Sequence, residues 1–151
     1  MVMYKIQEEE GFDTLKECIE LGHQQFDEVV GDKGDIIWNL DLDMLKLMSD
    51  AGLIHLVVAR ENDNIIGYFC NLVNLDLFTK VYQAKELAIF VHPDHRKSGI
   101  FKQMLDKMEE LLIYNGVRMQ FLSFQKRHNE GLPLKFGYRE VEIVYEKILG
   151  E

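Results

Sequence analysis

The sequence predicts a single-domain α/β (α+β) protein, a mixed β-sheet flanked by helices in the order β-α-α-β-β-β-α-β-α-β. Three observations carry this expectation. The 151 residues suffice for one full hydrophobic core and are too few for two ordinary domains, so residues 1–151 are read as one domain. Apolar runs too short for helices alternate with stretches whose apolar residues recur at helical spacing. Finally, Glu86 to Leu105 reads as a buried strand that passes through a tight turn into an amphipathic helix, the unit of a right-handed parallel crossover.

Taken in order, Met3 to Gln7 alternates weakly and is a first strand. Thr14 to Val30 has Leu15, Cys18, Ile19, Gly22, Phe26 and Val29 on one face, with Thr14 and Glu17 at capping-box spacing and Gly31 as its stop. A connection containing Gly34 and the only tryptophan, Trp38, leads to a short helix from Asp41 to Ala51, closed by Gly52. Leu53 to Arg60 and Ile65 to Val73 are strand-like runs joined by Glu-Asn-Asp-Asn, a hairpin signal. A strand from Val81 to Val91 stops at Pro93. The helix that follows starts near Gly99, because Ile100, Phe101, Met104, Leu105, Met108, Leu111 and Leu112 share one face. Arg118 to Phe124 and Arg139 to Ile148 are further strands. Between them, His128 to Gly137 holds at most a helical turn or two, since Gly131 and Pro133 oppose a long helix.

Composition narrows the function classes. Hydrophobic residues make up 47% and charged residues 28%, ordinary for a globular chain. A formal net charge of -9 argues against binding along a nucleic-acid backbone, and a local basic loop in such a chain suits a small anionic ligand better. Cys18 and Cys70 are too few for a disulfide scaffold and fall on apolar stretches, so they read as buried thiols rather than catalytic ones. The absence of a long apolar run and of a signal-peptide layout leads to the expectation of a cytoplasmic protein without a membrane partner.

The chemistry-bearing stretch is the turn before the Gly99 helix. A helix start leaves backbone N–H groups unpaired and carries partial positive charge, which seats a phosphate. Arg96, Lys97 and Lys102 add full charges, Ser98 a hydroxyl, and Gly99 an open backbone. The alternative for these residues alone is a solvated basic loop. Glu86, near the middle of the main strand, is placed to be partly desolvated, with its pKa raised toward the range of a general base. Its alternative is a carboxylate paired with Lys85 or another cation. His92 and His95 stand three apart without a third ligand of suitable spacing, so no metal is expected. His23 with Asp27 a turn later is suited to an amine acceptor, or else to a solvated helix face; Trp38 is a substrate contact or a packing anchor.

Val91 to Phe101, VHPDHRKSGIF, resembles the acyl-CoA pyrophosphate loop of the GNAT N-acetyltransferase superfamily, with Arg96 and Gly99 where that pattern wants them. The order of elements is similar to the GNAT fold over essentially the whole chain. Within that superfamily, Gly22 to Glu28 and the tail from Phe136 to Lys147 resemble a phage and prophage group of acetyltransferase-like proteins.

The resemblance implies acetyl-CoA as acyl donor, with no metal. It implies the backbone of Ile89, Phe90 and Val91 against the pantetheine arm, and Arg96, Lys97, Ser98, Gly99, Ile100, Phe101 and Lys102 around the phosphates. It also matches Asn129 to a family asparagine and supports Glu86 as the base. Two positions depart from the pattern. Phe101 stands where the family usually has Gly or Ala, so an open phosphate site requires its ring to turn away. Pro133 stands where many members have the tyrosine that protonates the leaving thiolate, which leaves His128 or Tyr138 as substitutes. The expected function is N-acetylation of a primary amine of a small molecule or protein. The alternative is a non-catalytic GNAT-fold binding or structural protein, phage-associated. A homodimer through the C-terminal strand is a further implication of the resemblance.

Overall fold

A computed structural model describes residues 4–26, 33–124 and 131–150, with the side chains of Gln24 and Gln25 excepted. Five strands form one sheet in the order β1-β2-β3-β4-β5, where β1 is Lys5–Glu8, β2 Ile54–Glu61, β3 Asn64–Leu75, β4 Tyr82–Val91 and β5 Met119–Phe121. The first four are antiparallel neighbours and β5 runs parallel to β4, which makes the sheet mixed. Among the described residues three α-helices of a turn or more accompany it: α1 Phe12–Leu21, α2 Leu42–Asp50 and α3 Ile100–Tyr114.

The sheet has two apolar faces, and each is covered. Leu15, Cys18 and Ile19 of α1 and Leu45 of α2 pack with Leu56, Val58, Tyr68, Cys70 and Phe90. On the opposite face Ile100, Met104, Leu105, Met108 and Leu112 of α3 pack with Val57, Ala59, Phe69, Val73 and Ala84. Full burial of side chains of this size contributes about 1.5–3 kcal/mol each, so α3 with its five buried residues is a principal anchor of the fold. Both cysteines are buried free thiols, as expected, and burial pushes each up to about 12.

Sequence and structure differ at element ends. α1 begins two residues before Thr14, with Gly11 as N-cap at φ 104 and no side-chain cap, so Thr14 lies inside the first turn. The helix ends at Leu21 and continues as a 3₁₀ turn through Gln25; the expected stop at Gly31 lies outside the described residues. For α2 the expectation holds, because the Asp41 side chain accepts the Met44 N–H at 2.9 Å. The β2–β3 hairpin turns on Asn62 and Asp63, both at positive φ. β5 is only three residues long, because it separates from β4 after the Lys85–Phe121 pair.

The strand expected over 139–148 is not formed. Its alternation is present, but a strand exists only by pairing, and no described strand lies beside it. Val141, Ile143, Val144 and Tyr145 are exposed, and the Lys33 ammonium pairs with Glu146. The expected short helix is one 3₁₀ turn, Pro133–Phe136; residues 125–130 lie outside the described set.

Gly67 fixes how closely β3 approaches β4. A Cβ there would sit 2.9 Å from the Phe90 carbonyl oxygen, a backbone atom that cannot move without opening the ladder. Gly67→Ala is therefore expected to destabilise the fold by about 1–3 kcal/mol. Urea denaturation checks this, and an unchanged midpoint would show that the two strands yield at no cost.

Candidate active site

Glu86 stands where the sheet divides. Its partner across the β3–β4 ladder is Asn71, and the next pair is Cys70 with Ala88, so Leu87 is the extra residue of a β-bulge. On the other side, β5 pairs with β4 only through Gln83, Ala84 and Lys85. From Glu86 onward the β5-facing edge of β4 pairs with no described strand, and the two strands form a fork. The Glu86 carboxyl lies in that fork, where Oε1 accepts the Ser123 N–H at 3.1 Å. Burial raises its pKa to about 7, partly offset by this hydrogen bond, which favours the charged form. Lys85 is not its partner: that ammonium lies over the Phe121 ring, 5.8 Å from the centroid.

The turn after β4 is held at several points. His95 Nε2 meets Glu61 Oε2 at 2.6 Å, which fastens the turn to the end of β2. The Ser98 hydroxyl donates to the His95 carbonyl, and the His92 N–H donates to the Ile66 carbonyl at 2.7 Å. His92 Nδ1 accepts the Asp94 N–H at 3.2 Å, and no group of three or more metal-type ligands occurs among the described residues. Arg96 Nε donates to the Val91 carbonyl at 3.1 Å, which lays the guanidinium along the loop.

Lys97 and Gly99 both have positive φ, 70° and 84°. Left-handed residues in such a turn curl successive N–H groups toward one side, making a concave anion seat. Gly99 is the N-cap of α3 and no side chain caps it. The first intrahelical bond is from the Gln103 N–H to the Gly99 carbonyl, so the N–H groups of Ile100, Phe101 and Lys102 point out of the helix start.

The side chains sort themselves accordingly. Ile100 is buried in the core. The Phe101 ring packs against the same core and meets Phe124 and Phe136, with centroids 6.1 and 5.8 Å away. It therefore turns toward the β5 side and leaves the loop backbone uncovered. Lys102 is engaged with Asp106 at 2.6 Å and lies over the Phe136 ring, so its charge is shared with its own helix. Ile89 and Val91 pack partly on the α3 face, while Phe90 is buried on the other, so these three supply backbone to the open edge.

A second cluster lies near the end of α1. The His23 ring stacks on Trp38 with centroids 4.5 Å apart and planes at 13°, and Phe26 meets Trp38 edge-on at 5.4 Å. Trp38 also packs against the core under α1 and α2, so the packing role foreseen for it is real, and His23 is its exposed partner. Asp27, His128 and Asn129 lie outside the described residues. Tyr138, the other substitute donor, gives its hydroxyl to Glu109 Oε1 at 2.8 Å, and burial together with that bond raises its pKa.

Two residues at the fork escaped the sequence reading. Asn71 is fully buried inside a strand that otherwise reads as apolar, and neither end of its amide has a hydrogen-bond partner among the described residues. Gln120, opposite Ala84, is partly buried with its amide atoms unpartnered as well. The legible signal was a lone Asn within Ile65–Val73.

The sheet thus forks beside a half-buried carboxyl, next to a basic helix start. The model of the acetyltransferase (GNAT) domain family matches residues 52–140, which run from β2 through the fork and the turn to the C-terminal tail, and the chain belongs to this family. No curated protein matches the chain. Among solved structures, it is similar to an aminoglycoside acetyltransferase from an uncultured soil metagenomic sample, in complex with sisomicin. The TM-score is 0.75 at 16% identity, over 97% of each chain. A predicted acetyltransferase with acetyl-CoA from Clostridium acetobutylicum gives a TM-score of 0.75 at 17% identity, again over 97% of each chain. Glucosamine-6-phosphate N-acetyltransferase from Arabidopsis thaliana gives 0.73 at 15% identity, covering 98% of this chain and 99% of its own. At these identities the structural likeness speaks for the fold.

Proposed function

We propose that the protein is an acetyl-CoA-dependent N-acetyltransferase that acts on a primary amine of a small molecule or a protein by direct transfer. The observation that carries this reading is the Glu86 carboxyl, half-buried in the β4–β5 fork with its pKa lifted to about 7, beside an open strand edge that leads to the basic turn. A carboxyl poised there takes a proton from an ammonium far more readily than one at its ordinary value. The Arg96-to-Lys102 turn would hold the phosphates of the donor, and the β4 edge from Ile89 to Val91 its pantetheine arm. The donor supplies an activated acetyl thioester.

In the proposed step Glu86 accepts one proton from the acceptor ammonium. The freed nitrogen lone pair forms the C–N bond, and the C–S bond breaks with its electron pair on sulfur. The second nitrogen proton goes to the thiolate, and the first leaves Glu86 to solvent. A thiol of pKa about 8.5 leaves without a dedicated acid, which makes Pro133 compatible with catalysis. His128 stays the candidate substitute for the missing tyrosine donor, and Asn129 keeps the cofactor role that the resemblance implies.

On the acceptor side, His23, Asp27 and Trp38 would line the approach. Stacked aromatic faces and a net charge of -9 both favour a cationic amine. Relatives named for an aminoglycoside and for glucosamine-6-phosphate support an amine acceptor of that kind. The likeness to phage-type members rests on Gly22–Glu28 and the 136–147 tail, and is part of this proposal.

Calorimetric titration with acetyl-CoA tests the reading. Micromolar binding is expected, weakened roughly tenfold or more in Arg96→Ala through loss of a charge-assisted phosphate contact. No heat of binding in a folded protein would remove the acetyltransferase reading in favour of a non-catalytic GNAT-fold component.

A further inference from the structure

We propose that Asn71 and Gln120 are positioning residues for Glu86, turning their amide N–H groups toward its carboxylate when it is ionised and their carbonyls when it is protonated. This rests on the reading of Glu86 as the base.

Register puts the three residues together. Val73 pairs with Ala84, and both lie in the core that α3 covers. Two residues along each strand stand Asn71 and Glu86, themselves a cross-strand pair, so alternation keeps them on the α3 face. Gln120 pairs with Ala84 on the other side, and Leu122, two residues on, packs against the same core. Asn71 is thus Glu86's direct neighbour and Gln120 its diagonal one, both within reach of a side chain.

The chemistry of the layer is otherwise apolar: Phe69, Val73, Ala84, Met104, Leu105 and Met108. Polar atoms buried in such surroundings are normally paired, yet both ends of the Asn71 and Gln120 amides are without partners among the described residues, and Asn71 is fully buried. An amide is the neutral group suited to this place, since it donates to a carboxylate and accepts from a carboxylic acid after a half-turn. It can follow Glu86 through both protonation states without bringing in a charge.

Other titratable groups near Glu86 do not provide this. The Cys70 thiol on β3 is held neutral by burial, and Lys85 lies over Phe121. On α3, Lys102 is paired with Asp106, Lys107 with Glu110, and Glu109 takes the Tyr138 hydroxyl.

The test is the titration of Glu86 itself in the full chain. pH-difference infrared spectroscopy reads the carboxyl C=O band, with Glu86→Gln identifying it. Asn71→Leu is expected to move the midpoint to higher pH, a roughly tenfold gain in proton affinity, because the charge-assisted bond lost by the ionised form is stronger than the neutral bond lost by the acid. Gln120→Leu should move it the same way, by roughly threefold. An unmoved midpoint in folded variants overturns the proposal, and Gln120→Leu decides alone should Asn71→Leu fail to fold.

Acetyl-CoA calorimetry on the same samples separates the two readings. Intact binding with an unmoved midpoint overturns the positioning role alone. Failure of the wild-type chain to bind acetyl-CoA overturns the acetyltransferase reading, and the catalytic meaning of the positioning with it.

Discussion

Glu86→Gln is expected to lower turnover of an amine acceptor by about 10²–10⁴-fold, the usual contribution of a positioned general base. The affinity for acetyl-CoA should stay within roughly twofold, since the residue makes no ground-state contact with the donor in the proposed step. The glutamine amide has nearly the shape of the carboxyl, and its oxygen can still accept the Ser123 N–H that now meets Oε1 at 3.1 Å. What it cannot do is take a proton. The wild-type profile of kcat/KM against pH should rise through a limb near pH 7, where the half-buried carboxyl ionises, and that limb should be absent from whatever rate the variant retains. Steady-state kinetics of both proteins over pH 5.5–8.5, in the range where Glu86 changes charge (about 7), check this. A variant that turns over like the wild type would take Glu86 out of the chemistry and leave it as a half-buried strut of the fork.

The parts of the molecule written in local chemistry were legible in the sequence. Asp41 caps α2 through its own side chain, and Asn62-Asp63 turns the hairpin because both residues tolerate positive φ. Gly99 starts α3 in a left-handed conformation. Glu86 was singled out from its place in the main strand, and burial does raise its pKa.

What depends on partners distant in the chain was not legible. Strand propensity over 139–148 says nothing of whether an edge lies alongside to pair with it, and none of the described strands does. Helical spacing put Phe101 on the core face, but its ring partners there, Phe124 and Phe136, lie too far along the chain for a local pattern to announce. Asn71 and Gln120 become neighbours of Glu86 only through the register of three strands.

The fork should also make stability depend on pH in a direction opposite to that of a salt-bridged carboxylate. Burial lifts the Glu86 pKa from 4.5 to about 7 in the folded chain. Below 4.5 the group is neutral in both states, and the stability linked to it is fully present. As pH rises above that value the unfolded chain ionises while the folded chain holds the proton, so unfolding gains ground. Once pH passes about 7 both states are ionised and the loss is complete. At about 1.4 kcal/mol per pH unit the window is worth about 3 kcal/mol. Glu86→Gln has no such window. Its stability relative to the wild type should therefore grow by about 3 kcal/mol between pH 4.5 and 7.5, or roughly 6–12 °C in relative Tm for a domain of this size. Urea denaturation of both proteins at the two pH values measures the difference, in which the other carboxylates cancel. Parallel stability curves would mean that the fork leaves Glu86 with an ordinary carboxyl pKa. If the curves diverge as expected, wild-type stability is given up for a carboxyl that exchanges protons near neutrality, which is what the proposed role of Glu86 as base requires.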